Sequence, residues 1–134
     1  MNSLASKINI INREKLTDKR GWFLKLMTGY EDYLPKETGE IYMVQSVNGA
    51  SRGGHFHKIA SEWFTIIQGE SNLKLLDIES GETMTIKLSF ENPKTIFVPP
   101  NIAHRFDSID NNSFTLIAYS SHKYDENDTI NMSF

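Results

Sequence analysis

The chain has 134 residues, a formal net charge of −3, 39% apolar and 11% aromatic side chains, and no cysteine. That length and composition fit a single domain, 1–134, with one core, and exclude a disordered chain. No run of Lys or Arg marks a nucleic-acid face, and without cysteine there are no disulfides, no thiolate catalysis and no zinc-finger sites, as in a cytoplasmic protein.

The N-terminal stretch MNSLASKINIINREK has no continuous apolar segment of the kind a secretory leader needs. No apolar run is long enough to span a bilayer, so no membrane partner is expected. Residues 8–27, INIINREKLTDKRGWFLKLM, read as two strands around a turn. Residues 28–40, TGYEDYLPKETGE, read as one long loop.

From residue 40 onward, short runs rich in β-branched and aromatic residues recur: EIYMVQSV, EWFTIIQG, SNLKLLDI, TMTIKLSF, TIFVPP, AHRFDSI and SFTLIAYSS. Turn signals separate them at Gly69-Glu70, Ser80-Gly81, Glu91-Asn92-Pro93 and Asp110-Asn111-Asn112. No helix of three turns is expected. Many short strands at this spacing predict an all-β sandwich or barrel, with a jelly roll as the natural closure. Strands at a terminus often pair with a second subunit, so a homodimer is expected.

The chemistry concentrates in RGGHFHKIASE, Arg52 to Glu62. If this segment is extended, His55 and His57 share one face and Phe56 takes the other. Imidazoles inside a small barrel must find polar partners. Glu62 opens the next apolar run and His104 follows VPPNIA, so three histidines and a carboxylate can meet at the barrel mouth. Gly53 and Gly54 allow a bulge or a close approach of backbone. Trp22, Trp63 and Phe106 are expected in the core.

The order Gly49, His55, His57, Glu62, Gly69 resembles the first cupin motif. Pro99 and His104 resemble the second, with Asn101 at its usual glycine and Ser108 at its usual asparagine. Within cupins, DKRGWF (Asp18 to Phe23), RGGH and VPPNIAHRF resemble the dTDP-4-keto-6-deoxyglucose 3,5-epimerases. RGGHFHK and YDENDTI (Tyr124 to Ile130) resemble the sugar 3,4-ketoisomerases. The resemblance implies a cupin jelly roll and a nucleotide-linked 4-keto-6-deoxyhexose, with dTDP as the expected nucleotide.

Both activities begin by removing a proton beside the C4 ketone to give an enediolate. An imidazole has a suitable pKa for the base, and the oxyanion needs donors already in place. By resemblance, His55 or His57 is the base and Tyr42 the opposing acid, ahead of Tyr119. His104 and Glu62 line the site, and Arg20, Arg52 and Lys58 meet substrate anions. The resemblance implies no cofactor and proton chemistry without metal, with 3,4-ketoisomerisation preferred to 3- or 3,5-epimerisation. Two other readings stand beside it. His55, His57, Glu62 and His104 also make a sufficient metal shell, although the charge of Arg52 is an awkward neighbour for a dication. A non-catalytic sugar-binding cupin is the third.

Overall fold

The computed structural model describes residues 2–37 and 39–134. The strands form where the alternating pattern places them. They are β1 (Asn9–Asn12), β2 (Leu16–Asp18), β3 (Gly21–Phe23), β4 (Ile41–Ser46), β5 (Arg52–Phe56), β6 (Glu62–Gln68), β7 (Glu70–Asp77), β8 (Thr83–Ser89), β9 (Lys94–Val98), β10 (Ile102–Ser108), β11 (Phe114–Ser120) and β12 (Ile130–Asn131). Among the described residues, helix is confined to α1 (Leu4–Lys7) and a 3-10 turn at Glu126–Asp128. Among the described residues no helix is long and apolar enough to cross a membrane.

One sheet runs β1-β9-β6-β11-β4 and the other β12-β5-β10-β7-β8, while β2 and β3 form a separate hairpin. Every pairing is antiparallel. The two sheets face each other across one core, which is the jelly roll expected of a cupin. Along β11 the side chains of Phe114, Leu116, Ala118 and Ser120 are buried and the residues between them are not, the period of two that an inward and an outward face impose. The turn at Asp110-Asn111 carries positive φ at both residues, a conformation Asn and Asp tolerate better than other side chains.

The barrel interior is graded. Phe64, Ile66, Leu73, Leu75, Leu88, Ile96, Phe106, Phe114 and Leu116 fill its body. The inward positions nearer one end are Tyr42, His55, Glu62 and His104. At β8, α1 drops Leu4 into the core, and its Lys7 ammonium reaches the buried Asp77 carboxylate at 2.7 Å.

From Glu62 to Ile66, all of β6 except its last two residues is buried on both faces. On the outer face Trp63 packs on Phe97 and Tyr119, and the long loop lies over the neighbouring β9. Arg13 holds that loop down by donating to Glu31 at 2.7 Å, to the Leu26 carbonyl at 2.7 Å and to Thr95 at 3.0 Å. Tyr33 stacks on Phe97 with ring centroids 5.0 Å apart.

Two expectations are corrected, and one strand was not expected. The segment 8–27 forms three short strands, not two. Trp22 is 57% exposed, whereas Trp63 and Phe106 are buried; Trp22 lies on the β2–β3 hairpin, which stands off the barrel and touches it edge-on at Phe90. The short β12, which flanks β5, lies in a polar tail where no alternating run announces it.

Candidate active site

Two adjacent glycines set the site. Gly53 and Gly54 have φ of +90° and +83°, and a Cβ on Gly53 would lie 2.9 Å from the His104 carbonyl oxygen. Only glycine accepts that backbone at such an approach. The β5–β10 ladder pairs His104 with His55 and then Arg105 with Gly53, so the register shifts here by one residue. The bulge puts His55 directly opposite His104.

His57 lies just past the end of β5. Its ring still joins the other two: centroids are 4.8 Å apart for His55–His104, 5.2 Å for His55–His57 and 5.5 Å for His57–His104. Glu62 faces them from the opposite sheet. Its Oε1 is 2.6 Å from His57 Nε2 and 3.7 Å from His104 Nε2. The Tyr42 hydroxyl donates to its other oxygen at 2.5 Å.

The hydrogen bonds assign the ring nitrogens. His104 Nδ1 is 3.2 Å from the Ile102 carbonyl and His57 Nδ1 is 2.8 Å from the Asp128 carbonyl. A carbonyl only accepts, so each Nδ1 carries the proton and each Nε2 faces inward. His57 Nε2 and Glu62 Oε1 lie 2.6 Å apart without the alignment of a hydrogen bond, and only a protonated His57 makes this contact an ion pair. His57 Nε2, His104 Nε2 and Glu62 Oε1 are all buried without a hydrogen-bond partner.

Burial dominates the electrostatics. It pushes His104 down to about 4. Burial and the neighbouring His57 also lower His55. For His57, burial is outweighed by Glu62 and the Asp128 carbonyl, and its pKa rises. Glu62 moves the other way: burial opposes its charge, yet His57, His104 and Tyr42 hold it below the usual carboxylate range. Burial and the Glu62 charge keep Tyr42 protonated far above its ordinary range.

One ligand atom from each of His55, His57, Glu62 and His104 lies within 4.8 Å of the others. Inward lone pairs beside a carboxylate oxygen repel one another unless a cation, a proton or a metal, lies among them. The donor set of three imidazoles and a carboxylate fits a divalent transition metal.

The site opens into a cavity of about 240 Å³ lined by Tyr42, His55, His57, Glu62, Tyr124 and Asp128 among others. Behind His55 a smaller hollow of about 110 Å³ reaches Arg52, His104 and Phe64. A larger open cleft outside, about 630 Å³, shares Lys123, Tyr124, Asp125 and Asp128 with the mouth but contains none of the three clustered histidines.

The structure therefore brings His55, His57, Tyr42, Glu62 and His104 together, with Arg52 at the back. There Arg52 donates to the Gln45 carbonyl at 2.6 Å. Arg20 and Lys58 are not brought in. Arg20 is exposed on the β2–β3 hairpin and paired with Asp18 at 2.6 Å. Lys58 has an exposed side chain and contributes only its peptide N–H, to Asp128. Tyr119 packs on Trp63 on the outer face of its sheet. Asn101, at the cupin glycine position, adopts φ of +66°, the left-handed region that asparagine tolerates. Its N–H donates to the His57 carbonyl at 2.7 Å. Sequence reasoning missed Asp128 and the mouth residues Lys123 to Asp125, for which the polar tail gave no signal beyond a resemblance.

Comparison with known proteins agrees with this picture. The chain is 33% identical to the dTDP-4-dehydrorhamnose 3,5-epimerase of Methanothermobacter thermautotrophicus over 72% of its own length, and spans 58% of that protein. It superposes on a 3,4-ketoisomerase from Helicobacter canadensis with a TM-score of 0.77 and 23% identity, covering 92% of this chain and 89% of that one. On a Legionella pneumophila 3,5-epimerase solved with dTDP-4-keto-L-rhamnose the TM-score is 0.85 at 19% identity, covering all of this chain and 77% of that one. The model of the polysaccharide biosynthesis C-terminal domain matches residues 16–130, and with the RmlC-like cupin fold in place the chain belongs to that family.

Proposed function

We propose that the chain is an isomerase that rearranges a nucleotide-linked 4-keto-6-deoxyhexose, dTDP-linked in the first instance, through an enediolate by 3,4-ketoisomerisation. The observation that carries this reading is the group of three imidazoles within 5.5 Å of one another at the inner end of the cavity, two of them lining it. Moving a proton from C3 to C4 on one face of the sugar needs a base that can return what it takes, and adjacent imidazoles provide one. His55, lowered by burial, and His57 both line the cavity as partly exposed acceptors, and the buried His104 stands behind them. Tyr42, held protonated and bonded to Glu62, would have to turn its one hydroxyl proton from that carboxylate to donate toward developing negative charge. Arg52 at the back and Lys123 at the mouth are the cations available to sugar oxygens and diphosphate.

In the alternative in which His55, His57, Glu62 and His104 hold a divalent cation, their ligating nitrogens no longer act as bases, and the cation would supply Lewis-acid stabilisation of an enediolate. Glu62 then has two tasks, to balance that charge and to orient Tyr42.

A second reading is favoured by a different observation. Tyr42 stands on β4 and His55 on β5, in opposite sheets. A donor across the cavity from the base would return the proton to the opposite face, which is epimerisation at C3 or at C3 and C5. Proton NMR of dTDP-4-keto-6-deoxyglucose incubated with the protein in heavy water decides. A new 3-keto species supports ketoisomerisation. Deuterium at C3, or at C3 and C5, with the ketone still at C4 supports epimerisation. No change in the sugar overturns both.

The protein works as one domain and as a homodimer in this reading. Edge strand β4 exposes Ile41 at 65% and Met43 at 63%. Beside it an apolar hollow of about 190 Å³ is lined by Leu26, Met27, Trp63, Ile117 and Tyr119. The buried Trp63 indole N–H there has no acceptor. A second copy laid against this face covers the apolar surface, so Ile41→Asp should yield monomer in analytical ultracentrifugation, and an unchanged mass would remove this interface.

A further inference from the structure

The Asp128 side chain is 7% exposed in a stretch where its neighbours are open to solvent. One carboxylate oxygen accepts from Lys58 N at 2.8 Å and Ile59 N at 3.0 Å, and the other from Ala60 N at 3.0 Å. Three peptide donors on one carboxylate fix the β5–β6 connection onto the tail. The backbone carbonyl of the same residue accepts from His57 Nδ1 at 2.8 Å. The tail is itself laid along β5, through Ile130 opposite Phe56, Asn131 opposite His55 and Met132 N donating to the Gly54 carbonyl at 2.9 Å.

We propose that Asp128 is a positioning residue: its carboxylate clamps the 58–60 loop so that its carbonyl holds His57 as the Nδ1–H tautomer, with Nε2 presented to the site. Free imidazole has no such constraint and places its proton on either nitrogen. Without the clamp, His57 turns or changes tautomer and an N–H replaces the inward lone pair. The Nε2 can then neither accept a proton from substrate nor ligate a cation. A carbonyl or carboxylate behind a functional histidine is a general means of fixing its tautomer. The inference rests on His57 belonging to the reacting set, but its test does not need turnover.

The test uses the full chain, labelled with 15N at histidine, stripped with chelator and held at a pH above the imidazole range. Long-range 1H–15N correlation reads which nitrogen of His57 bears the proton. In the wild type the proton is expected on Nδ1; finding it on Nε2 overturns the proposal outright. In Asp128→Asn and Asp128→Ala, His57 is expected to shift toward the Nε2–H form while core amide shifts stay in place. His57 remaining Nδ1–H in a folded variant also overturns it. Zn(II) added alone gives a second readout. Its affinity is expected to fall about 10- to 100-fold in Asp128→Asn and to hold in Glu126→Ala, an exposed change on the same turn. Equal loss in both variants means a merely structural tail and overturns the proposal. If the wild type binds no zinc, the cation part of the functional reading falls, and the tautomer measurement still decides the role of Asp128.

Discussion

His55 stands directly across the β5–β10 ladder from His104, ring centroid to ring centroid at 4.8 Å, because two glycines before it let the strand bulge. The pairing of these rings depends on backbone before it depends on side chains. Gly53→Ala should therefore damage the site from outside it. The new methyl would meet the His104 carbonyl oxygen at 2.9 Å on a residue with φ of +90°. We expect a loss of at least about 1 kcal/mol in urea denaturation and a rate loss larger than that stability change explains. Unaltered stability and rate would show that the bulge is dispensable.

Replacing His55 or His57 by Asn removes a proton carrier while keeping a polar side chain of similar bulk. Solvent-derived deuterium incorporation at the sugar should fall about 100- to 10,000-fold for the residue that acts as base. Near wild-type rates in both variants would mean that neither imidazole takes the proton.

Tyr42→Phe leaves Glu62 Oε2 without its donor inside the barrel. An unsatisfied buried acceptor costs about 1–3 kcal/mol, read as a lower denaturation midpoint. If Tyr42 is also the acid, kcat falls further than binding of dTDP does. A drop in binding alone would place Tyr42 in substrate recognition only.

The inward-facing donor set predicts cation-dependent stability. Zn(II) at about 100 times its Kd should raise stability by about 2.7 kcal/mol, seen as a higher melting temperature that chelator reverses. Glu62→Gln should abolish most of this rise. No change in melting temperature with Zn(II), Mn(II), Ni(II) or Fe(II) would exclude the cation reading.

Glu31 gives a stability dependence on pH away from the site. Its side chain is 3% exposed, and against the burial that raises it, the Arg13 guanidinium and Thr28 hold its carboxyl at about 2, below its ordinary 4.5. A depressed carboxylate stabilises the fold fully above the ordinary value, and that contribution fades as pH falls from about 4.5 toward about 2. Arg13→Ala should cost about 3 kcal/mol at neutral pH and flatten the acid limb of the curve. An acid limb identical to wild type would assign the effect to other carboxylates.

Most strands from β4 to β11 were legible because they are short runs rich in β-branched and aromatic residues ended by a residue that favours a turn, and the RGGH word announced the bulge through its glycines. His55, Glu62 and His104 were legible for the same reason, since strand geometry carries them inward once the barrel closes. Asn101 at a glycine position looked like a departure from the cupin pattern; its left-handed backbone shows that asparagine meets the same need. Arg20 lies away from the histidine cluster of its own chain because its charged word sits on a hairpin that leaves the barrel, and Trp22 was misplaced because aromatic content alone does not say which strands stand apart. Lys58 follows the histidines in sequence, yet the turn after β5 sends its side chain to solvent. Asp128 was invisible because what it does depends on contacts with a loop far away along the chain.

That distance has a consequence for how the protein loses function. The hydrogen bond from His57 to Asp128 joins residues 71 apart in sequence, and the barrel strands between them are already paired without it. What holds the tail there is a short strand, one carboxylate and a few peptide bonds at the barrel rim, not the buried body. The tail should therefore open as its own small unit, with amides expected to exchange with solvent sooner than those of β7 or β11. Modest heat or denaturant is expected to peel it away first, leaving a folded barrel without the hold on His57, so that loss of the proposed activity would precede unfolding.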